Sequence, residues 1–351
     1  MDKRQFQIQE TIGNDAGASN KARSDISVVA EKMGFTILTV RAENPTNSVI
    51  KKLKNKLSYS INLQKSLRKI PKDSVVIVQV PILNLASYSH DKINKIATER
   101  KIISVIHDVN DLRSNDMEKH NVHFYELLKK SICVVSHNQA MTEHLVKKGV
   151  SRDKIINLQV FDYLLDNVKE KPRFSRSVII AGNLDPNKVK YLSQINKIKG
   201  CDFILYGPNY DPNCGDDNIK YKGVVSSNEL PYKLNEGFGL VWDGTSIDSC
   251  AGSFGEYLRY NNPHKLSLYL ASGLPVIIWD QAAEADFVKQ NGVGITIHSL
   301  KELPEALNKI NDKDYTHIVD NVTKIQKKIT TGYYANAALS KAMVLVEDNK
   351  D

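Results

Sequence analysis

Lysine is an unusual choice for the first turn of an α-helix, where unpaired N–H groups and a partial positive charge favour an acidic side chain. The stretch 260–279, YNNPHKLSLYLASGLPVIIW, places one there. Asn262 suits the N-cap and Pro263 the first helical position, so His264 and Lys265 fall in the opening turn. An anion at this point would meet an ammonium and backbone N–H groups together, which is the chemistry of a phosphate site. The alternative is a surface helix with a solvated lysine. A second constellation is His107-Asp108, which follows an apolar run and precedes the polar loop Asn110-Asp111-Leu112-Arg113. Either side chain could act as general base toward a substrate hydroxyl. The alternative is an aspartate capping the next loop and a histidine bonded to backbone.

Other patterns carry less. His120-x-x-His123, with Glu118 and Glu126 nearby, has a spacing that could hold a metal. No further ligand set accompanies it, so surface histidines are the simpler reading. Asp312-Lys313-Asp314 is a D-x-D, the pattern that holds a divalent cation against a diphosphate in some sugar transferases. No apolar strand precedes it, and it reads as a helix opening instead. No G-x-x-x-x-G-K-[ST] occurs, residues 13–17 do not fit G-x-G-x-x-G, and Ser136 lies in no G-x-S-x-G. P-loop chemistry, dinucleotide binding and a hydrolase elbow are therefore not expected.

These candidate groups need a scaffold, and the apolar periodicity supplies one. Within 1–165, strands are expected over 6–12, 35–40, 74–80, 102–106 and 132–135. Helices are expected over 22–33, 49–67 and 139–148, the last with Ser136 as its N-cap. In the lysine-rich helix 49–67, Leu53, Leu57 and Ile61 form the apolar stripe beneath a solvated face. Residues 166–176, DNVKEKPRFSR, are charged, contain Pro172 and read as a linker. A second alternation fills 177–330, with strands over 177–181, 202–206, 238–242 and 275–279. Each ends in small or polar residues: Gly182-Asn183, Gly207-Pro208, Asp243-Gly244 and Asp280. Leu266, Tyr269 and Leu270 would turn the intervening helix toward a core, and Gly273 would end it. Residues 331–351 carry a last helix able to pack back on the first domain. The implied class is α/β, with parallel sheets covered on both sides and ligands beyond the carboxyl ends of the strands.

Composition bounds the partners. The 351 residues suffice for two domains, and 41% hydrophobic with 25% charged residues is an ordinary globular balance. A formal charge of +8 suits nucleic acid, an anionic membrane surface or an anionic small substrate. No arginine-rich arm or RNA-binding signature supports nucleic acid. The opening MDKRQFQIQE lacks the apolar core of a secretory signal, and no run is long enough for a transmembrane segment. Four cysteines without a C-x-x-C pair suit reduced thiols in a cytoplasmic protein, with peripheral contact at the inner membrane surface compatible.

Taken together, V-I-H-D-V at 105–109, G-F-G-L-V-W-D at 237–243 and H-K-L-S-L-Y-L-A-S-G-L-P-V-I at 264–277 resemble one group of GT-B glycosyltransferases. That group comprises the bacterial glucosyltransferases that extend N-acetylglucosamine on serine-rich-repeat adhesins, and related galactofuranosyltransferases. The likeness runs from the loop at Gly13 to the final helix. It implies two Rossmann-like domains facing a cleft. A UDP-sugar would be held by the second domain and a glycan or glycoprotein acceptor by the first. No cofactor and no obligatory metal are implied, and self-association as a dimer or tetramer is. A non-catalytic GT-B-like partner subunit and a UDP-sugar epimerase are rival readings. Retention of Lys265 and His107-Asp108 favours the enzyme over the former, and an epimerase would need no separate acceptor.

Residue by residue, the resemblance puts Gly182 and Asn183 near the donor diphosphate, and Tyr206 at the strand end where uracil binds. Asp243 matches the turn after the G-F-G-L-V-W run, and Lys265 matches the lysine that contacts the phosphates. Asn262 and His264 accompany it. Asn14 and Gly17 belong to the loop that approaches donor and acceptor. Many retaining GT-B enzymes carry two glutamates eight residues apart, and here those positions are Tyr260 and Leu268. The usual ribose contact is thus absent, and stereochemistry does not follow from it. The expected reaction is glycosyl transfer, with a base at His107-Asp108 and leaving-group charge falling on Lys265 and the helix N-terminus. Domain closure would exclude water.

Overall fold

Strands of nearly unbroken apolar character are stable only where both faces are covered, and helices between them supply that cover. This computed structural model describes residues 4–12, 18–42, 48–82, 90–113, 122–167 and 171–348. Asn14, Gly17 and His120 lie outside them. The chain divides into two units, Met1–Leu158 with Tyr334–Asp351, and Gln159–Tyr333.

The first unit alternates β1 (Gln5–Ile12), α1 (Ala18–Lys32), β2 (Thr36–Ala42), α2 (Val49–Lys69), β3 (Val75–Val80) and α3 (His90–Thr98). It continues with β4 (Lys101–Ile106), α4 (Val122–Lys130), β5 (Cys133–Ser136), α5 (Gln139–Lys147) and β6 (Ile155–Asn157). Its parallel sheet has the order β2-β1-β3-β4-β5-β6, so the winding direction switches between β1 and β3. Every residue of β3 is buried, as its V-V-I-V-Q-V sequence requires.

The second unit contains β7 (Arg173–Ala181), β8 (Phe203–Tyr206), β9 (Ile219–Tyr221), α6 (Leu230–Lys233), β10 (Glu236–Val241), α7 (Ser253–Glu256) and α8 (His264–Ala271). Then come β11 (Val276–Trp279), α9 (Ala285–Asn291), β12 (Gly294–Ile297), α10 (Leu303–Asn308) and α11 (Asp312–Ile329). This sheet is also parallel, in the order β12-β11-β10-β7-β8-β9, with its switch between β7 and β10. The last helix, α12 (Tyr333–Asp348), groups with the first unit from Tyr334 onward.

Several expectations need correction. The division falls at Leu158 rather than 165, because Phe161 and Tyr163 are buried within the second unit. The expected linker 166–176 runs into β7, which starts at Arg173 and pairs there with Glu236. The cap of α5 is Asn138, whose Oδ1 accepts from Met141 N at 3.0 Å, not Ser136. Three strands went unread, β6, β9 and β12. Each is an edge strand of three or four residues, too short for periodicity to register. In α2 the buried residues are Tyr59, Ser60, Leu63 and Leu67, whereas Leu53, Leu57 and Ile61 face solvent. The apolar stripe read as core is the exposed one.

Candidate functional site

The switch point of the second sheet gathers most of the expected donor-side residues. Two loops leave the carboxyl ends of β7 and β10 there, one opening with Gly182-Asn183 and the other with Trp242-Asp243-Gly244. Helix α8 is held against them by its own core face. Tyr269 packs its ring where a side chain on Gly239 would lie 2.1 Å from it, so only glycine fits at that place in β10. The Tyr269 hydroxyl accepts from Ala181 N at 2.8 Å, tying α8 to the end of β7. Ser267 Oγ donates to Phe161 O at 2.7 Å, and Gln326 Nε2 donates to Ala271 O at 2.8 Å at the far end of the helix. Gly273, with φ +82°, takes the left-handed turn expected after α8.

Lys265 is thereby aimed at the strand ends. Its Nζ donates to Asp243 Oδ1 at 2.7 Å and to Trp242 O at 2.9 Å. The two side chains are only 12% and 10% exposed. Burial lowers the lysine's pKa, Asp243 opposes that shift, and the charge of Lys188 adds to it. Lys188 was not singled out in the sequence; the signal was a basic residue in the loop after β7. Lys188 thus adds a second ammonium charge near the pair, which favours an incoming anion.

The neighbouring loops interlock through glycine. A side chain on Gly207 would meet Gly182 O at 1.7 Å, so the turns after β7 and β8 lie backbone against backbone. Asn183 Oδ1 accepts from Asp185 N at 3.1 Å and from Asn209 Nδ2 at 2.9 Å, which bridges the same two turns. Tyr206 ends β8 half-buried. Beyond it, Tyr210 and Tyr221 stack with ring centroids 4.6 Å apart, and the Tyr221 hydroxyl donates to Gly207 O at 2.8 Å. This aromatic pair was missed because β9, which carries Tyr221, was missed. Tyr191 was missed as well. It is fully buried beside Asp243, and its hydroxyl has no hydrogen-bond partner among the described residues.

Two expected members of the site are spoken for structurally. Asn262 is buried, and its Nδ2 donates to Gln159 O at 2.9 Å. It does not cap α8, whose N-cap is Pro263. His264 stacks on Tyr163 with centroids 5.0 Å apart and lies edge-on to Phe161 at 6.1 Å. Both contacts anchor the segment 159–163 to the start of α8.

In the first unit, His107 and Asp108 follow β4 as read. His107 Nε2 donates to Gln79 Oε1 at 2.6 Å. Gln79 in turn donates to Arg23 O at 3.1 Å and Ser27 Oγ at 3.2 Å. Asp108 pairs with Arg113 at 3.1 Å and is 39% exposed. Behind it lies a buried cluster at the β1/β3 switch. Arg23 donates to Glu10 Oε2 at 3.1 Å and to Pro81 O at 2.8 Å, and Tyr59 also bonds Glu10. Burial lowers the Arg23 pKa, with Glu10 and Asp108 opposing. His137, just past β5, is fully buried and donates from Nε2 to Ile106 O at 3.0 Å. Burial depresses its pKa to about 4.

The discarded metal patterns have structural partners. His123 Nδ1 lies 3.0 Å from Asp91 and its ring stacks on His90. Asp314 completes a capping box with Asn311 at the start of α11. Among the described residues no group of three or more His, Cys, Asp or Glu side chains could hold a metal ion.

Comparison with known proteins agrees with this architecture. Residues 5–160 match the glucosyltransferase 3-like N-terminal domain and residues 178–342 the glucosyltransferase 3-like C-terminal domain. The β-1,6-galactofuranosyltransferase WbbI of Escherichia coli K12 is 39% identical over 251 residues, 69% of this chain and 71% of that protein. Glucosyltransferase 3 of Streptococcus gordonii is 24% identical over 327 residues, 93% and 94% of the two chains. The crystal structure of Anabaena HepE with UDP and glucose shares the fold at a TM-score of 0.63 and 13% identity, covering 97% of this chain and 99% of that one. With both domain descriptions matched in order and a relative at this identity, the chain belongs to the glucosyltransferase 3-like family.

Proposed function

We propose that this protein transfers a hexosyl group from a UDP-sugar to a sugar hydroxyl. The observation that carries the reading is the Lys265–Asp243 pair at the β7/β10 switch point, backed by the Lys188 charge and the glycine-packed turns at Gly182 and Gly207. A diphosphate arriving there would share the lysine with Asp243 and take up charge as the glycosidic bond to UDP breaks. The Tyr206 region, with Tyr210 and Tyr221, would receive the uracil ring. On the first domain, a base at His107-Asp108 would deprotonate the acceptor hydroxyl.

Glucose as the sugar is favoured by the glucosyltransferase 3 relatives, and N-acetylglucosamine on a glycoprotein adhesin as the acceptor is what the sequence resemblance implies. A galactofuranosyl group moved in surface-polysaccharide synthesis is the second reading, favoured by the 39% identity to WbbI. The protein would act in the cytoplasm as a homo-oligomer, at or near the inner membrane.

The test is a melting-temperature panel, since a ligand that binds only the folded state raises the midpoint. UDP is expected to stabilise the protein, and GDP, ADP and CMP much less. Equal shifts from all four would remove the UDP assignment. Transfer assays with UDP-glucose and UDP-galactofuranose, in buffer containing a chelator, then separate the two sugars and the dependence on metal.

A further inference from the structure

Helix α2 holds the chain's excess of positive charge. Its 21 residues include Lys51, Lys52, Lys54, Lys56, Lys65, Arg68 and Lys69 and no acidic residue. Without them the chain has 41 basic residues against 40 acidic ones, close to neutral. The helix is also too long for its sheet. At 1.5 Å per residue it spans about 31 Å, whereas the six-residue β3 covers about 20 Å. The buried residues Tyr59, Ser60, Leu63 and Leu67 all lie in the carboxyl-terminal part, so it is the amino-terminal half that overhangs.

That overhang is apolar where it should be polar. Val49, Leu53 and Leu57 follow one another at four-residue spacing with Ile50 beside them, and Ile61 continues the row on the outward face of the packed half. Val49, Leu53, Leu57 and Ile61 are 79%, 63%, 42% and 43% exposed, and Ile50 is 70% exposed. Lysines border this stripe on both sides of the helix. Leaving five large aliphatic side chains in water forgoes burial worth roughly 1.5 kcal/mol or more apiece.

We infer that the amino-terminal half of α2 is a membrane-docking element that lays its apolar stripe into a bilayer surface rich in anionic lipid. The charge pattern selects this occupant. A second copy meeting the same helix would bring its own all-basic face, and like charges would oppose the contact. Nucleic acid or an acidic peptide could satisfy the lysines but would leave the stripe in water. A bilayer surface satisfies both, because lysine stems lie along the apolar boundary while their ammonium groups reach the headgroups. Helix α2 starts from the carboxyl end of β2, the same edge of the sheet at which His107 and Asp108 leave β4. Resting on the transferase reading in its surface-polysaccharide form, docking here would bring a membrane-held acceptor to the edge that carries the proposed base.

The test is co-sedimentation of the full chain with vesicles, in the absence of donor and acceptor. The protein is expected to pellet with vesicles of phosphatidylcholine and phosphatidylglycerol and to stay in solution with phosphatidylcholine alone. Replacing Lys51, Lys52, Lys54 and Lys56 together by Gln should weaken anionic-vesicle binding by about a hundredfold or more at low salt. Leu53→Ser with Leu57→Ser should weaken it at unchanged charge. Both variants should melt like wild type, because the altered side chains are exposed. Equal pelleting of wild type and both variants would overturn the inference, as would failure of wild type to pellet. Loss of an oligomer in the Leu53→Ser/Leu57→Ser variant, read by light scattering, would overturn it too and give the stripe to a second copy. The UDP-induced melting shift of the same preparations judges the transferase reading separately.

Discussion

Lys265 and Asp243 are 22 positions apart in sequence, yet the lysine's Nζ lies 2.7 Å from the aspartate's Oδ1 across the end of β10. The lysine that stands against the helix dipole therefore has a carboxylate of its own, and a donor diphosphate would have to share it. Lys265→Ala should weaken UDP binding by about ten- to a hundredfold, the worth of a charge-assisted hydrogen bond. It should also destabilise the fold by roughly 3 kcal/mol, because it strands a carboxylate that is largely out of water. Adding Asp243→Asn should recover part of the melting temperature and none of the affinity. Calorimetric titration of UDP with parallel melting curves reads both effects. An unchanged dissociation constant in Lys265→Ala would remove the phosphate contact.

Gly207→Ala is expected to be far more damaging than Gly182→Ala. Both glycines have φ above +130°. A β-carbon on Gly207 would overlap Gly182 O at 1.7 Å, whereas one on Gly182 would meet only Lys265 Cε at 3.6 Å. The first change forces the turns after β7 and β8 apart, and the second costs mainly backbone strain of about 1–3 kcal/mol. Thermal melting and UDP titration of the two variants make the comparison. Comparable losses would mean that the close approach of the turns is not what matters.

Asp108→Asn should lower turnover by about a hundredfold or more while leaving UDP affinity nearly unchanged. Its half-exposed carboxylate pairs with Arg113 and lies in the first unit, the one proposed to receive the acceptor. Initial rates at saturating donor, beside UDP titrations, separate the outcomes. A fall in UDP affinity with turnover intact would reverse the assignment.

His137 makes the fold sensitive to mild acid. Its imidazole is held neutral in the folded state with a pKa of about 4, against an ordinary value of 6.5. The unfolded chain therefore binds the proton first. The stability is complete above pH 6.5 and declines as pH falls toward 4, by about 1.4 kcal/mol per pH unit. Between pH 6.5 and 5 most carboxylates have yet to titrate, but burial lowers the His144 pKa as well, so the comparison with a His137 variant by chemical denaturation is what isolates the effect. His137→Gln should start from lower stability and show a flatter dependence. Parallel slopes for the two proteins would exclude His137 as the source.

The alternation of strands and helices was legible in the sequence because it rests on local periodicity. Residues such as 74–80 and 275–279 are apolar enough to require burial on both faces wherever they fold. The polar and glycine residues at strand ends were legible for the same reason, and so were Lys265 in its helix and His107-Asp108 after its strand. The short edge strands β6, β9 and β12 were not, because three or four residues carry no period and pairing alone makes them strands. Only tertiary structure could give Lys265 its partner, bury His137, or set Tyr210 on Tyr221. Those contacts join residues from different elements, and sequence spacing says nothing of the distance between them. It also decided which side of α2 faces the core. Val49, Leu53, Leu57 and Ile61 repeat as regularly as Leu63 and Leu67 do. The core took the latter because they lie on the inward face of the helix, whereas Ile61, between the buried Ser60 and Leu63, turns outward, and burial goes to the residues that have a surface to meet.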